Sequence, residues 1–452
     1  MPPNTLYLPE LREMLAENNT AELREFCTAL HPARTAEFME GLEPAEAWAV
    51  LQHAEMPLRA EIFGFFDEDV QVKIIEAMDR EEIARFIGDL PPDDRVDLLN
   101  EVEPQIVHEL MPLVPTEERR DILRLQSYPE DTAGAEMTTE FARLNEDLTV
   151  GEALKDIAPQ AEELETIYYL YVVDNEDHLH GLVSARQLVS AIGKPDTLIG
   201  QLMERDLVTV NVADDQEEVA DKVARYDLLA IPVVDDEHRM LGIITHDDII
   251  DVVREEAAED AYRIAAVDPL DEGYLETHLF TLSWKRGIWL TILFFGALLT
   301  AVALDEYRLT FENFAWLVLF IPLVISTGGN SGNQSATLII TALSTGDITL
   351  EDWWRVVSRE LMMGLMLGGF LGLIGYFCAL FVAPGYVEAC VIPITILLVV
   401  VAGTLSGSLL PLLFSRLGWD PAMMSSPFVA GIIDVLGIVI YMRVAIGLLS
   451  GG

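Results

Sequence analysis

The sequence is poor in cysteine and in basic residues, and each shortage excludes a class of protein. Three cysteines, Cys27, Cys378 and Cys390, lie far apart in 452 residues, which excludes a disulfide framework and a cysteine metal motif. Only 28 Lys and Arg face 75 Asp and Glu. The net charge of −47 argues against nucleic acid as a partner and favours cations. An acidic surface suited to a saline environment explains the same charge equally well.

Catalytic motifs and an export signal are also missing. The chain has neither His-Glu-x-x-His nor Gly-x-x-x-x-Gly-Lys-[Ser/Thr], so we expect no enzyme activity of those kinds. The N-terminus lacks a cationic stretch followed by an apolar one. We therefore expect no cleavable signal and an acidic half that stays in the cytoplasm.

The acidity belongs to the first part of the chain, and apolar stretches follow it. Residues 1–283 hold 65 of the 75 acids and 21 of the 28 Lys and Arg. Five later stretches are long enough to cross a bilayer core of roughly 30 Å. They run from about Gly287 to Leu304, Phe314 to Leu343, Leu361 to Val382, Val391 to Phe414 and Met423 to Leu449.

The basic residues between these stretches predict their orientation. Lys285, Arg286, Arg355, Arg359 and Arg416 lie on one side, whereas the other side is mostly acidic. The positive-inside rule predicts a multi-pass protein of the cytoplasmic membrane, with the N-terminus inside and the C-terminus outside.

Between about Glu136 and Asp251 the chain repeats itself. The segments Tyr171–Asp174 and Gly181–Ser184 are echoed by Pro232–Asp235 and Gly242–Thr245, with corresponding positions 61 residues apart. Each unit is an apolar strand, an Asp-rich turn, an apolar strand and a helix, which predicts a tandem α/β module. This repeat resembles a pair of CBS domains.

The preceding residues 5–130 contain short amphipathic segments that start with Leu-x-Pro patterns, at Pro32, Pro44, Pro92 and Pro115. Proline in a first helical turn is a sound helix start. Repeated short helices predict an all-α superhelical stack, and a plain helical bundle is the alternative.

An acidic helix follows the repeat. Six acids, at positions 248, 251, 255, 256, 259 and 260, share one helical face. Their i,i+4 repulsions cost about 0.2–0.5 kcal/mol each, so a cation would stabilise the helix. Oxygen ligands without His or Cys favour Mg²⁺, Ca²⁺ or Mn²⁺. A solvated charged face is the alternative.

Two features inside the apolar stretches are unusual for a membrane helix. Ser326–Thr337 contains three glycines and a run of amides and hydroxyls, which are tolerated only where helices pack or line a hydrated path. Asp434 is a lone carboxylate that costs roughly 2.5–3.5 kcal/mol to insert. A carboxylate at this depth predicts a cation site.

Taken together, these features resemble the MgtE family of magnesium channels. The resemblance implies a multidomain protein with an all-α superhelical N-terminal domain (1–130), tandem α/β CBS domains (131–200 and 201–252), an acidic connecting helix (253–280) and a five-helix transmembrane pore domain (281–452). It also implies a homodimer that transports Mg²⁺ and closes when cytosolic Mg²⁺ is high. A coupled transporter that senses nucleotides through its CBS domains is the alternative.

The resemblance implies individual Mg²⁺ sites. The pore site would comprise Asp434, Ala430, Gly329, Asn333 and Thr337. The cytosolic ligands would be Asp93, Asp97, Asp215, Glu217, Asp227, Asp248, Asp251, Glu256, Glu259, Asp260 and Asp420.

Three positions depart from the family pattern. Ser426 and Gly431 stand where Asn and Thr are expected, near the cytoplasmic half of the pore. In nucleotide-binding CBS domains, the Asp of a Gly-h-x-[Ser/Thr]-x-x-Asp segment, where h is a hydrophobic residue, bonds to the ribose hydroxyls of the nucleotide. The second module has this Asp as Asp248, whereas the first has Gln187, so the expectation of ATP at the CBS domains rests on the resemblance and not on a complete pair of motifs.

Overall fold

The computed structural model describes residues 6–161, 164–270, 273–275, 277–423 and 426–449. The chain divides into two compact units, Met1–Val253 and Arg254–Gly452.

The first unit opens with a series of short helices that pack on one another. From residue 6 to residue 128 the structure describes α1 (Leu8–Ala16), α2 (Thr20–Ala29), α3 (Pro32–Met39), α4 (Pro44–Leu51), α5 (Met56–Gly64), α6 (Glu68–Ala77), α7 (Arg80–Gly88), α8 (Pro92–Glu101), α9 (Pro104–Leu110) and α10 (Thr116–Leu125). Helix α4 contacts α6, α6 contacts α8 and α8 contacts α10, while α3 contacts α5 and α7 contacts α9. Packing between every second helix favours the superhelical stack over the plain bundle.

The helix starts of this stack lie at the predicted prolines. Helices α3, α4 and α8 each begin with proline, and Pro115 precedes α10. Glu43 and Glu46 add a reciprocal capping box to α4. A missing N–H costs nothing in a first turn, where no intrahelical acceptor exists.

The repeat forms the predicted tandem α/β module, and each unit contains a three-stranded sheet, one strand more than its sequence predicts. The first module contains β1 (Phe141–Leu144), α11 (Val150–Ile157), β2 (Thr166–Val173), β3 (Leu179–Ser184), α12 (Ala185–Ala191) and α13 (Ile199–Leu202). The second contains β4 (Val210–Asn211), α14 (Gln216–Tyr226), β5 (Ala230–Val234), β6 (Met240–Thr245) and the start of α15 (His246–Ile264). In each, a parallel pair is followed by an antiparallel pair.

Residues that are 61 positions apart in the sequence occupy the same places in the strand pairing of the two modules. Tyr169 pairs with Ser184 in the first module, and Ala230 pairs with Thr245 in the second. The last strand of each module also pairs with the segment that leads into the other module, through Leu182 to Glu204 and through Ile243 to Thr138. The two modules are therefore joined by backbone as well as by side chains.

A glycine stands at each of these crossings. A Cβ on Gly181 would lie 2.6 Å from the carbonyl oxygen of Glu204, and one on Gly242 would lie 2.6 Å from that of Thr138. The glycines of the repeated Gly-h-x-[Ser/Thr] pattern are thus required by close backbone contact.

The second unit contains the membrane helices. After the C-terminal part of α15, the structure describes α16 (Leu279–Glu306), α17 (Arg308–Asn313), a 3-10 turn (Ala315–Phe320), α18 (Ile321–Ser344), a 3-10 turn (Leu350–Asp352), α19 (Trp353–Ala379), α20 (Tyr386–Ala389), α21 (Val391–Arg416), a 3-10 turn (Pro421–Met423) and α22 (Ser426–Leu449). Among the described residues, five helices, namely α16, α18, α19, α21 and α22, are long and apolar enough to cross a membrane, which confirms the predicted number.

Helix α18 stays helical through the glycine-rich segment because its glycines meet neighbouring helices. A Cβ on Gly328 would collide with Val399 of α21 and lie 2.8 Å from Ile433 of α22. From the other side, a Cβ on Gly403 would lie 2.6 Å from the carbonyl oxygen of Gly328. Helix packing therefore accounts for Gly328, as small residues do between membrane helices generally.

We expect Gly181→Ala and Gly242→Ala each to destabilise a soluble fragment that ends after α15. The added methyl group must displace a paired backbone segment, at a cost of about 1–3 kcal/mol. Gly193→Ala is the matched control, because a Cβ there meets no atom within 4 Å. Urea unfolding measures the difference, and equal midpoints for all three variants would contradict the crossing contacts.

Candidate functional site

Asp434 lies on α22 directly opposite the backbone of α18. A Cβ added to Gly329 would lie 3.6 Å from the Ala430 Cβ and 3.7 Å from Asp434 Oδ1. The Asp434 side chain is half-buried in the single chain. Three of the five predicted pore residues therefore come together, and a glycine at position 329 leaves the carboxylate uncovered.

The other two predicted pore residues continue the same face of α18. Asn333 and Thr337 follow Gly329 by one and two turns. The Asn333 Oδ1 atom is buried and has no hydrogen-bond partner among the described residues, although burying an unpaired carbonyl oxygen costs about 1–3 kcal/mol. The Thr337 side chain is exposed. This face thus presents polar groups in line with Asp434.

The structure describes the surroundings of only one of the two residues that depart from the pore pattern, Gly431 and Ser426. A Cβ on Gly431 would meet no atom within 4 Å, so packing does not require glycine there. The side chain of Ser426 lies outside the described part of the chain.

A second group of predicted acids surrounds the end of α15 in the second unit. The Asp260 carboxylate accepts a hydrogen bond from Ser344 Oγ on α18 at 3.0 Å. Burial raises the Asp260 pKa, and the nearby charge of Asp420 raises it further, whereas the Ser344 hydrogen bond lowers it. Asp420 also accepts the backbone N–H of Ala422 at 2.7 Å.

Arg263 supplies the positive charge of this group. Its guanidinium forms ion pairs with Glu259 and with Asp420, so α15 is joined to the segment before α22. The three side chains keep between 26% and 36% of their surface exposed, and pairs of this kind contribute at most about 1 kcal/mol. Arg263 is not among the residues predicted from the sequence, although its position four residues after Glu259 indicates an ion pair on one helical face.

A third group of acids lies in the first unit, where the helical stack meets the CBS modules. It comprises Asp93 and Asp94 of α8, Glu165 before β2, and Asp247 and Asp248 of α15. Asp93 is buried, and its Oδ1 has no hydrogen-bond partner among the described residues. Sequence reasoning identified Asp93 and Asp248 and missed the other three, because only the fold brings these segments together.

The first-unit acids raise one another's pKa. Burial raises the Asp93 pKa well above its ordinary value, and the charges of Asp94 and Asp248 add to this effect. The surrounding residues desolvate the Asp94 carboxyl and, with the charges of Asp248 and Asp247, raise its pKa to about 6, although the residue as a whole is exposed to solvent. Glu165 is also exposed, and desolvation by its neighbours, followed by the charges of Asp248, Asp94 and Asp247, raises its pKa to about 7. Because their ionised form is disfavoured by desolvation and by neighbouring like charges, these carboxylates bind either protons or cations.

Asp248 also has a local structural role. Its carboxylate accepts hydrogen bonds from Thr245 Oγ1 at 2.5 Å and from Thr245 N at 3.2 Å, at the start of α15. Gln187, at the corresponding position of the first module, accepts the same two hydrogen bonds, from Ser184 N at 2.7 Å and from Ser184 Oγ at 2.9 Å. The x-x-Asp position of the motif therefore serves as a helix cap in both modules.

The remaining predicted ligands are spread along helices. Asp215 caps α14 by accepting the N–H of Glu217, whereas Asp227 ends the same helix in a left-handed conformation. The helix places Asp227 about 18 Å from Asp215. Asp97 lies one turn after Asp93, and Asp251 and Glu256 lie on α15. Within the described residues, no three His, Cys, Asp or Glu side chains converge closely enough to hold a metal ion.

Three family models match consecutive parts of the chain. Residues 321–444 match the MgtE family, described as a divalent cation transporter. Residues 30–131 match the MgtE intracellular N domain. Residues 133–194 and 199–255 match CBS domains.

Curated relatives extend this similarity over most of the chain. The magnesium transporter MgtE of Thermus thermophilus is 39% identical over 361 residues, which cover 78% of this chain and 78% of the relative. The magnesium transporter MgtE of Enterococcus faecalis is 37% identical over 335 residues, covering 73% and 72% of the two chains.

Two crystal structures resemble about half of the chain. The soluble part of a magnesium transporter is 36% identical with a TM-score of 0.52, covering 55% of this chain and 98% of the other. The cytosolic domain of the Mg²⁺ channel MgtE in complex with ATP is 34% identical with a TM-score of 0.50, covering 54% and 98%. The chain therefore belongs to the MgtE family of magnesium transporters, multi-pass membrane proteins with an all-helical N-terminal domain and a CBS pair.

Proposed function

We propose that this chain is a Mg²⁺-selective channel that imports magnesium across the cytoplasmic membrane and closes when cytosolic Mg²⁺ is high. The observation that carries the proposal is the Asp434 carboxylate opposite the bare backbone of Gly329. A half-buried carboxylate at membrane depth needs a compensating cation or water. The names of the relatives supply magnesium as the cargo.

The site suits an ion that keeps its water. Mg²⁺ dehydrates reluctantly, so a pore must recognise the hydrated ion rather than strip it. Asp434 supplies the charge, and the Asn333 amide, the Thr337 hydroxyl and the Ala430 carbonyl would bond the waters of the ion, the Asn333 oxygen only once it is uncovered. Glycine at position 329 leaves the space for that water shell.

We propose that two copies of the chain enclose the path. Asp434 retains exposed surface in the single chain, and α16 has no buried residue among those described. A second copy would place another Asp434 opposite the first and double the charge at the site. In this arrangement the acidic unit is cytoplasmic and the C-terminus is outside, as the basic loops predict.

In this proposal the cytosolic acids form the sensor. Mg²⁺ would neutralise the first-unit group around Asp93 and Asp248 and the second-unit group around Glu259 and Asp420. The acids of α14 and of the middle of α15 would contribute through contacts that form on closure. A ligand shifts such an equilibrium only if it binds one state more tightly, so the closed state must hold Mg²⁺ better than the open state.

A nucleotide-sensing coupled transporter is the second candidate. The ATP complex of the related cytosolic domain favours it. However, the motif carboxylate of the second module, Asp248, already caps α15, and the first module has Gln187 instead. We therefore assign ATP at most a modulating role at one module.

Asp434→Asn should reduce Mg²⁺ uptake to background while the protein remains folded and inserted, because the substitution removes the charge and keeps the side-chain volume. Uptake into proteoliposomes measures the effect. Glu312→Gln, at an exposed carboxylate that pairs with Arg308, is the matched control and should behave like the parent. Normal Mg²⁺ currents through Asp434→Asn would overturn the pore assignment.

The combined change of Asp251→Asn, Glu256→Gln and Glu259→Gln should keep the channel open at cytosolic Mg²⁺ concentrations that close the parent. The substitutions remove the carboxylates that bridging ions would bind in the closed state. They also remove i,i+4 repulsion within α15, but three such pairs are worth only about 1 kcal/mol, so the loss of bridging dominates. Patch recordings with stepped cytosolic Mg²⁺ test this. Closure at the parental concentration would show that the α15 stripe is merely a solvated face.

Without divalent cations, the thermal unfolding midpoint of the soluble fragment should fall as pH rises from about 4.5 to about 7.5. The raised pKa values of Asp94 and Glu165 mean that the folded state binds more protons than the unfolded state in this window, so deprotonation destabilises it. Glu165→Gln should flatten this dependence.

Millimolar Mg²⁺ should raise the midpoint more at pH 7.5 than at pH 5, because only the ionised carboxylates attract the ion. ATP without divalent cations should not reproduce this effect. Stabilisation by ATP alone, with no response to Mg²⁺, would favour the nucleotide-sensing candidate.

A further inference from the structure

Glu360 is a carboxylate inside the third membrane helix that has no role in the site described above. The sequence analysis placed this span from about Leu361, but α19 begins at Trp353, which puts Glu360 about 10.5 Å into the helix. Its side chain is half-buried. Among the described residues it forms no ion pair. Ionisable groups within membrane-spanning helices are rare and usually functional.

The Glu360 carboxylate bonds to the side of α18 that faces away from Asp434. Glu360 Oε2 accepts a hydrogen bond from Ser335 Oγ at 2.6 Å, and Ser335 is only 4% exposed. Ser335 lies midway along the helix between Asn333 and Thr337, but about 200° around the axis from each. The bond to Glu360 therefore acts on the opposite side of α18 from the pore face and at the same depth.

The backbone at Glu360 is itself fixed. Thr404 Oγ1 of α21 donates a hydrogen bond to the carbonyl oxygen of Glu360 at 3.2 Å. One turn further along α19, a Cβ on Gly364 would lie 2.6 Å from the same hydroxyl oxygen, so the two helices are in close contact at this level. Glu360 thus connects α18 to two closely packed helices, α19 and α21.

We propose that Glu360 is a positioning residue for the ion pathway, which sets the rotation of α18 through Ser335. The inference rests on the proposed function of the Gly329, Asn333 and Thr337 face. A rotation of about 20° would move a side-chain end that lies 5–6 Å from the helix axis by roughly 2 Å. A shift of that size changes which atoms of Asn333 and Thr337 meet the water shell of the ion.

The test uses the full-length protein in proteoliposomes, with Mg²⁺ and Ca²⁺ fluxes measured for the parent and four variants. Ser335→Ala and Glu360→Ala should each change the Mg²⁺ to Ca²⁺ flux ratio by about threefold or more, in line with the strength of one hydrogen bond between membrane helices. The double variant should be no worse than either single variant, because both remove the same bond. Glu360→Gln keeps the acceptor oxygen and should restore the parental ratio.

Ser408→Ala is the matched control. Ser408 is a buried serine of α21 whose hydroxyl bonds within its own helix, to the carbonyl of Leu405. Its flux ratio should equal that of the parent. Should Glu360→Ala fail to insert, the comparison of Ser335→Ala with Glu360→Gln decides the question.

Two results would overturn the positioning role. If Glu360→Gln is as impaired as Glu360→Ala, the charge matters and not the hydrogen bond. If Ser335→Ala keeps the parental ratio, α18 does not depend on this contact. Either result leaves the pore assignment intact as long as Asp434→Asn, measured in parallel, blocks flux, whereas normal flux through Asp434→Asn would defeat the pore assignment itself.

Discussion

The close approach of α18 to α21 and α22 is the contact on which the membrane unit depends. Apolar burial gives membrane helices little reason to associate, since lipid is equally apolar, so backbone contact through small residues replaces it. Gly403 faces the carbonyl of Gly328, and Gly407 faces that of Gly332. This contact allows a backbone surface, instead of a large side chain, to lie opposite Asp434.

The polar side chains of α18 have two roles, helix packing on one face and ligands beside Asp434 on the other. Ser335 on the rear bonds to Glu360, whereas Asn333 and Thr337 on the front continue the line of Asp434. The division follows from helical periodicity, which sends residues two positions apart to opposite sides. A short polar segment can therefore hold a helix in place and offer ligands at the same depth.

The two acidic groups outside the membrane helices use different electrostatics. Around Asp93, carboxylates crowd together with raised pKa values, so the charge is incompletely compensated and responds to protons as well as to cations. At the end of α15, Arg263 already pairs with Glu259 and Asp420. A divalent ion in the first group would relieve the repulsion between neighbouring carboxylates. In the second group it would have to compete with the Arg263 guanidinium for the same carboxylates.

The sequence by itself determined the CBS repeat, the proline helix starts, the five membrane helices and the anomaly of Asp434, because periodicity, repetition and hydropathy are local properties. Only the tertiary structure decided that Glu165 joins Asp93, that Arg263 reaches Asp420 and that Glu360 meets Ser335. Each of these contacts joins residues far apart in the chain. Their geometry depends on how helices pack, and packing is set by shape complementarity over many side chains rather than by any short pattern.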